Sequence, residues 1–207
     1  IQNANAFTGT IPADNFANAT LDNVTSLPNA PLGDMVLVSS ATASSSASIE
    51  FTLGDYKEYK FFFVNMHPSS DNQSFQFQCS TDGGSTYGVT VTTTYFRAQH
   101  NESDSNTSLT YLTTDDLAQS TSFITISEDV GADNDQAVSG HLSLFNPSST
   151  VYVKHFINNF SGNQFNNFSF NEFMAGYFND TNDLTNIKFQ FASGNIDNGK
   201  ILMFGLN

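Results

Sequence analysis

The stretch Ser74-Phe75-Gln76-Phe77-Gln78-Cys79-Ser80, Thr81-Asp82-Gly83-Gly84-Ser85-Thr86, Tyr87-Gly88-Val89-Thr90-Val91-Thr92-Thr93-Thr94-Tyr95 decides the fold class. Phe75, Phe77 and Cys79 alternate with Gln76, Gln78 and Ser80. Tyr87, Val89, Val91 and Tyr95 alternate with Gly88, Thr90, Thr92 and Thr94. Such alternation puts one set of side chains on each face of a pleated strand. Asp82-Gly83-Gly84 supplies the positive backbone angles that a tight reversal needs. The spacing predicts a β-hairpin over Ser74–Tyr95.

Composition points the same way. Thr, Val and Phe are plentiful, with 21 Phe among 207 residues, while charged residues make up only 13%. Lys and Glu, the usual residues of solvated helices, are scarce, which argues against a helical protein. The Phe residues are enough for a sizeable core, because each buries a large area. The formal net charge is −14, and Arg97 is the only arginine among six basic residues. A phosphate-binding surface cannot be built from that set, so nucleic acid is excluded as a direct partner. No apolar run reaches the roughly 18 residues of a membrane span, so no membrane insertion is expected. Cys79 has no second cysteine to pair with and reads as a small buried hydrophobe.

Outward from the central stretch, strand patterns continue from residue 35 to the end. Met35–Ser39 and Ser46–Thr52 alternate, with Ile49, Phe51 and Leu53 on one face. Tyr59–Met66 is apolar on both faces, so this strand is central and covered on both sides, on one of them by a neighbouring subunit. Arg97–Asp116 shows no pattern and reads as a long functional loop. Ser122–Ser127 is a short strand and Glu128–Asp135 an acidic turn. Val138, Gly140, Leu142 and Leu144 form one apolar set; Val151, Val153, His155 and Ile157 form another. Glu172-Phe173-Met174-Ala175, inside the Phe-rich Phe165–Phe178, suggests a short helix. Ile187, Phe189 and Phe191 alternate, Ser193–Gly199 turns the chain, and Ile201–Leu206 is a buried last strand. About ten strands joined by turns predict an all-β fold: an antiparallel two-sheet sandwich, jelly-roll-like. Residues 1–34 carry single apolar residues between Asn, Thr, Ala and Pro. They read as an extended N-terminal arm ahead of a head domain, 35–207.

Chemical motifs are sparse. Glu128, Asp129, Asp133 and Asp135 offer carboxylates over one short stretch, the ligand type that a hard cation such as calcium takes. The spacing is not that of an EF-hand, and a solvated acidic turn is the competing reading. His67, His100, His141 and His155 lack metal-site spacing, and no nucleophile elbow accompanies them. No catalytic residues are assigned, and no cofactor is expected beyond that calcium. Ser80–Tyr87 resembles the Asp-box of sialidases, S-x-D-x-G-x-T-aromatic. In that motif the Asp and hydroxyl groups brace the turn, so its role is structural. One copy and one arginine do not suit sialidase activity.

Three stretches together resemble virion surface proteins of tailed bacteriophages, particularly marine ones. Thr8–Phe16 is similar to linker repeats ahead of trimeric fibre heads. Tyr59–Tyr95 is similar in its Phe-rich strand and Asp-Gly-Gly turn. Phe189–Leu206 is similar to the terminal hairpin of fibre and decoration domains. The resemblance implies a homotrimeric β-sandwich head on an extended stalk, located at the virion surface, with no catalytic residues carried over. On it, Arg97–Asp116 and Glu128–Asp135 are expected to meet a host-surface glycan. Residues 1–34 are expected to intertwine with their copies or bind other virion proteins. A capsid-decorating protein that stabilises the shell is the alternative; a polysaccharide-degrading enzyme is the third.

Overall fold

Phe75, Phe77 and Cys79 are fully buried; of the residues alternating with them, Gln76 is partly exposed while Gln78 and Ser80 are buried too. The computed structural model describes residues 35–207. The arm expected over residues 1–34 lies outside the described residues. The strands are β1 (Val36–Thr42), β2 (Ile49–Thr52), β3 (Glu58–Pro68), β4 (Gln73–Ser80), β5 (Val91–Asn101) and β6 (Thr107–Tyr111). They continue with β7 (Ile124–Val130), β8 (Val138–Phe145), β9 (Lys154–Asn163), β10 (Phe168–Phe178), β11 (Asn186–Phe191) and β12 (Ile196–Leu206).

All pairings are antiparallel, in an eight-stranded sheet ordered β1-β12-β3-β8-β9-β10-β5-β6 and a four-stranded sheet ordered β2-β11-β4-β7. Four pairs nest inside one another along the chain: β1 with β12, β2 with β11, β3 with β8, and β4 with β7. That nesting, folded over into two sheets β1-β12-β3-β8 and β2-β11-β4-β7, is a jelly roll of eight strands. The remaining strands are two insertions, β5-β6 between β4 and β7 and β9-β10 between β8 and β11. They meet through the β10–β5 pairing and extend the larger sheet past β8.

This order corrects the predicted hairpin. β4 already has β11 on one edge and β7 on the other, so β5 cannot pair with it and lies in the opposite sheet. The Asp-Gly-Gly turn is real, with Gly83 and Gly84 at φ 75° and 85°, but it opens a crossing between sheets. β11 and β12 likewise lie in different sheets, so the chain does not end in a hairpin. Three further expectations change. Arg97–Asp116 is not a patternless loop: β5 runs through Asn101, and β6 returns beside it as the sheet's edge. Glu172-Phe173-Met174-Ala175 lies in strand β10, where Glu172 and Met174 point inward. Glu128 and Asp129 belong to strand β7, not to a turn.

The two sheets enclose a core built on aromatic rings. The Phe189 ring centre lies 5.0–6.3 Å from those of Phe51, Phe61, Phe63, Phe75 and Phe77, which belong to both sheets. These tilted, edge-on and offset contacts are the favourable aromatic geometries. β12 sits between β1 and β3, so the last strand is interior to its sheet, as its unbroken apolar run implies.

Candidate functional site

The outward face of the eight-stranded sheet is where the molecule departs most from an ordinary soluble sandwich. Register across the strands lines up Leu202, Phe62, His141, Asn159, Phe173, Phe96 and Tyr111 from β12 to β6. The next row runs Phe204, Lys60, Ser143, Ile157, Ala175 and Thr94. Phe96 and Phe173 stack at 5.1 Å with their rings nearly parallel, and Phe62 meets Phe204 edge-on at 5.7 Å. Ile157 and Leu109 remain 52% and 75% exposed. An apolar groove of about 370 Å³ lies along Ile157, Ala175 and Tyr177. Among the strand residues on this face the carboxylates are Glu58, which accepts a 2.8 Å hydrogen bond from Ser143, and Asp197 at the far end of β12. In a chain of net charge −14, that sets the face apart from the rest of the surface.

Sequence reading reached part of this face. Tyr59–Met66 was expected to be apolar on both sides, and Phe62 and Val64 do point outward. The spacing of Val151, Val153, His155 and Ile157 predicts one apolar strand face, and the structure reverses that phase. The structure starts β9 at Lys154 and buries Lys154, Phe156, Asn158 and Phe160, which leaves His155 and Ile157 outside. The signal missed was Lys154-x-Phe156-x-Asn158-x-Phe160, whose polar members disguise the inward face.

Of the polar members of that inward face, Lys154 is partnered, while neither polar atom of the Asn158 amide has a hydrogen-bond partner. Lys154 Nζ donates to the backbone oxygens of Asp180 and Asn182. Six residues further along the sheet, Arg97 of β5 faces its cross-strand partner Glu172 of β10, and β7 covers both. Arg97 Nη1 stands 2.5 Å from Glu128 Oε1, 3.3 Å from Asp129 Oδ2 and 3.6 Å from Glu172 Oε1. One guanidinium therefore serves three carboxylates. Burial pushes the Glu172 carboxyl up to about 7, against the pull of Ser127, Tyr95 and Arg97. Burial, with a hydrogen bond shared with Asp115, pushes Glu128 up to about 8. Glu172 Oε2, Tyr95 Oη and Ser127 Oγ are buried, and none completes a hydrogen bond. Acids with raised pKa values often mark reaction centres, yet this pair sits beneath a sheet with Glu172 wholly enclosed.

The four residues weighed as calcium ligands do not gather. Glu128 and Asp129 turn onto Arg97. Asp133 contributes its backbone oxygen to His67 Nε2 at 3.3 Å, and Asp135 borders a separate cleft. Among the described residues no three His, Cys, Asp or Glu side chains are placed to hold a metal ion.

That cleft, about 550 Å³, opens at one end of the larger sheet, where two adjacent strands lose regular register. β12 shifts register on either side of Asn198, and β3 shifts against β8 between Phe63 and Met66. Asn65 takes a left-handed backbone, φ 49°, and Gly199 lies at φ 126°. A Cβ on Gly199 would meet the Asn65 oxygen at 2.8 Å, so only glycine fits there. Bulges of this kind re-aim side chains beside binding sites. Here they bring Asn65, His67, Asp197, Asn198 and Lys200 to one opening.

The Asp-box turn is a brace. Asp82 Oδ1 accepts from Ser80 Oγ at 2.6 Å and Thr86 N at 2.9 Å, and Oδ2 accepts from Thr86 Oγ1 at 2.6 Å. These bonds hold the Asp82 carboxyl down at about 2. The turn is then anchored through Tyr87, whose hydroxyl donates to Glu50 and whose ring lies under Lys188 at 4.1 Å.

Comparison with known proteins adds no relative: no family model, no curated protein and no solved structure matches the chain.

Proposed function

We propose that this chain is a non-enzymatic structural component of a tailed-bacteriophage virion, the head of a homotrimeric fibre that contacts host-surface glycans. The observation that supports self-association is the outward face of the eight-stranded sheet. Rows of apolar and neutral polar side chains cross it, one from β12 to β6 and the next from β12 to β5, with Lys60, Glu58 and Asp197 among its charged strand residues. Eight strands spaced ~4.8 Å apart span roughly 34 Å, and three rows of outward residues cover roughly 20 Å along the strands, so the face is on the order of 700 Å². A standard interface needs about 800 Å² per partner. Copies carrying −14 each repel across most of their surface and meet at least cost here. The number three, the virion and the glycan come from the resemblance of Thr8–Phe16, Tyr59–Tyr95 and Phe189–Leu206. A non-catalytic role fits the complete burial of Glu172, one of the two raised-pKa acids.

Sedimentation equilibrium of the full chain tests the assembly. The expected mass is three times 22.6 kDa. A single-chain mass at micromolar concentration removes the reading. Pull-down on empty capsids, but not on whole host cells, would favour the capsid-decoration alternative.

A further inference from the structure

We propose that the cleft between the bulges of β3 and β12 is a binding site for a neutral polyhydroxylated ligand, a hexose or N-acetylhexosamine. Its volume of about 550 Å³ falls in the usual ~300–1,000 Å³ range of small-molecule sites. Sugars present hydroxyl groups that donate and accept at once, so a sugar site needs both kinds of partner close together. Asp135 and Asp197 offer acceptors, Lys200 offers donors, and the amides of Asn65 and Asn198 offer both.

His67 and Asp197 carry the argument furthest. With Nε2–H donating to the Asp133 oxygen at 3.3 Å, Nδ1 is left as an acceptor. That nitrogen is buried, has no hydrogen-bond partner, and lies 3.7 Å from Asp197 Oδ2. A nitrogen so enclosed is closed to a ligand, so it is the half-exposed Asp197 carboxylate, resting against the His67 ring, that faces the opening. A hydroxyl group at the opening donates to Asp197 and accepts from Lys200 or an Asn amide. Val64, 45% exposed and paired in register with Lys200, gives a small apolar surface for the carbon side of a ring. No Phe, Tyr or Trp lines the cleft, so the ligand is held by its edge through hydrogen bonds and not by stacking. Two carboxylates at the opening of a chain of net charge −14 disfavour sialic and uronic acids. The positive φ angles at Asn65 and Gly199 belong to the bulges that bring these side chains to one opening.

The role of such a site as a receptor contact rests on the attachment reading above; its chemistry stands on one chain's own residues. Saturation-transfer NMR on the full chain tests it, with glucose, galactose, mannose, N-acetylglucosamine, N-acetylneuraminic acid and glucuronic acid as probes. At least one neutral sugar is expected to receive transfer, and the two acidic ones none. Asp135 and Asp197 are exposed, so the Asp135→Ala/Asp197→Ala double variant retains the fold, and in it the transfer is expected to fall at least tenfold. Asp55→Ala, an exposed control away from the cleft, leaves it unchanged. Transfer to no neutral sugar, equal transfer in the double variant, or preference for the acidic sugars overturns the proposal. Sedimentation of the same samples separates this from assembly. Trimers without sugar transfer overturn the cleft alone, and monomers with transfer overturn the assembly reading alone.

Discussion

Phe189 shows what a single side chain does for this fold. It projects from β11 of the smaller sheet and reaches rings of β2, β3 and β4, so it locks two layers together. Removing it leaves a void lined by rings that already interlock and cannot all close in. Truncating a buried Phe costs ~3–5 kcal/mol, lost transfer energy and cavity together. For a domain of this size each kcal/mol lowers the melting midpoint by ~2–4 °C. Phe189→Ala is therefore expected to lower the midpoint by about 10 °C or more in differential scanning calorimetry. Phe173→Ala, 40% exposed on the outward face, should lower it far less. Equal losses would mean that the core is not organised around Phe189.

At the scale of one element, β10 carries an acid where a sandwich strand usually carries a hydrophobe. Glu172 points inward between Phe170 and Met174, faced by Arg97 and Tyr95 of β5 and by Ser127, Glu128 and Asp129 of β7, with Asp115 behind Glu128. Its carboxyl sits at about 7 when folded and near ~4.3 when unfolded. The native state therefore holds a proton that the unfolded chain releases. Stability from this source is complete below pH ~4 and is lost as pH rises through about 7. The difference is on the order of 3 kcal/mol for Glu172. Glu128, at about 8, extends the window upward. The melting midpoint is expected to fall between pH 5 and pH 8, and Glu172→Gln should flatten that fall below pH 7. A wild-type midpoint that rises over this range would refute the arrangement. The same strand explains what the sequence concealed. Alternation exposes a strand when one face is greasy and the other polar, as in β4 and β11. In β9 and β10 the inward face mixes Lys154, Asn158 and Glu172 with Phe, and the outward face keeps Ile157 and Phe173, so the contrast vanishes. β6 is an exposed edge with no buried side, so nothing in Thr107–Tyr111 distinguishes it from loop. Pairing is less legible still. Asp82-Gly83-Gly84 announces a reversal in any fold, and only the competition of β11 and β7 for the edges of β4 sends β5 to the other sheet. The cleft was invisible because its residues come from β3, β12 and the loop before β8. Register faults, not motifs, bring them together.

For the whole molecule, two forces compete over the outward sheet face. Burying its apolar rows against a sister copy gains ~25 cal/mol per Å², while bringing two chains of net charge −14 together costs Coulomb energy over their entire surfaces. Only the second term is screened by salt. The Debye length shrinks from ~30 Å at 0.01 M to ~3 Å at 1 M, so repulsion between the bulk of the charges disappears while burial persists. Association should therefore strengthen with salt, the reverse of what ion-pair contacts produce. The face also predicts where association fails. Ile157 and Phe173 project from neighbouring strands at its centre and contribute little to the core, being 52% and 40% exposed. Ile157→Asp with Phe173→Asp places two more charges where copies meet and leaves the inward face untouched. Sedimentation velocity should find wild-type chains moving from a partial to a complete oligomer between 0.01 M and 1 M salt. The double variant should stay monomeric at both, with a melting midpoint within a few degrees of wild type. Assembly that weakens with salt would point to charged loops as the contact, and an oligomer that survives both substitutions would place it elsewhere, with the exposed Val36 and Leu37 of edge strand β1 the next surface to examine.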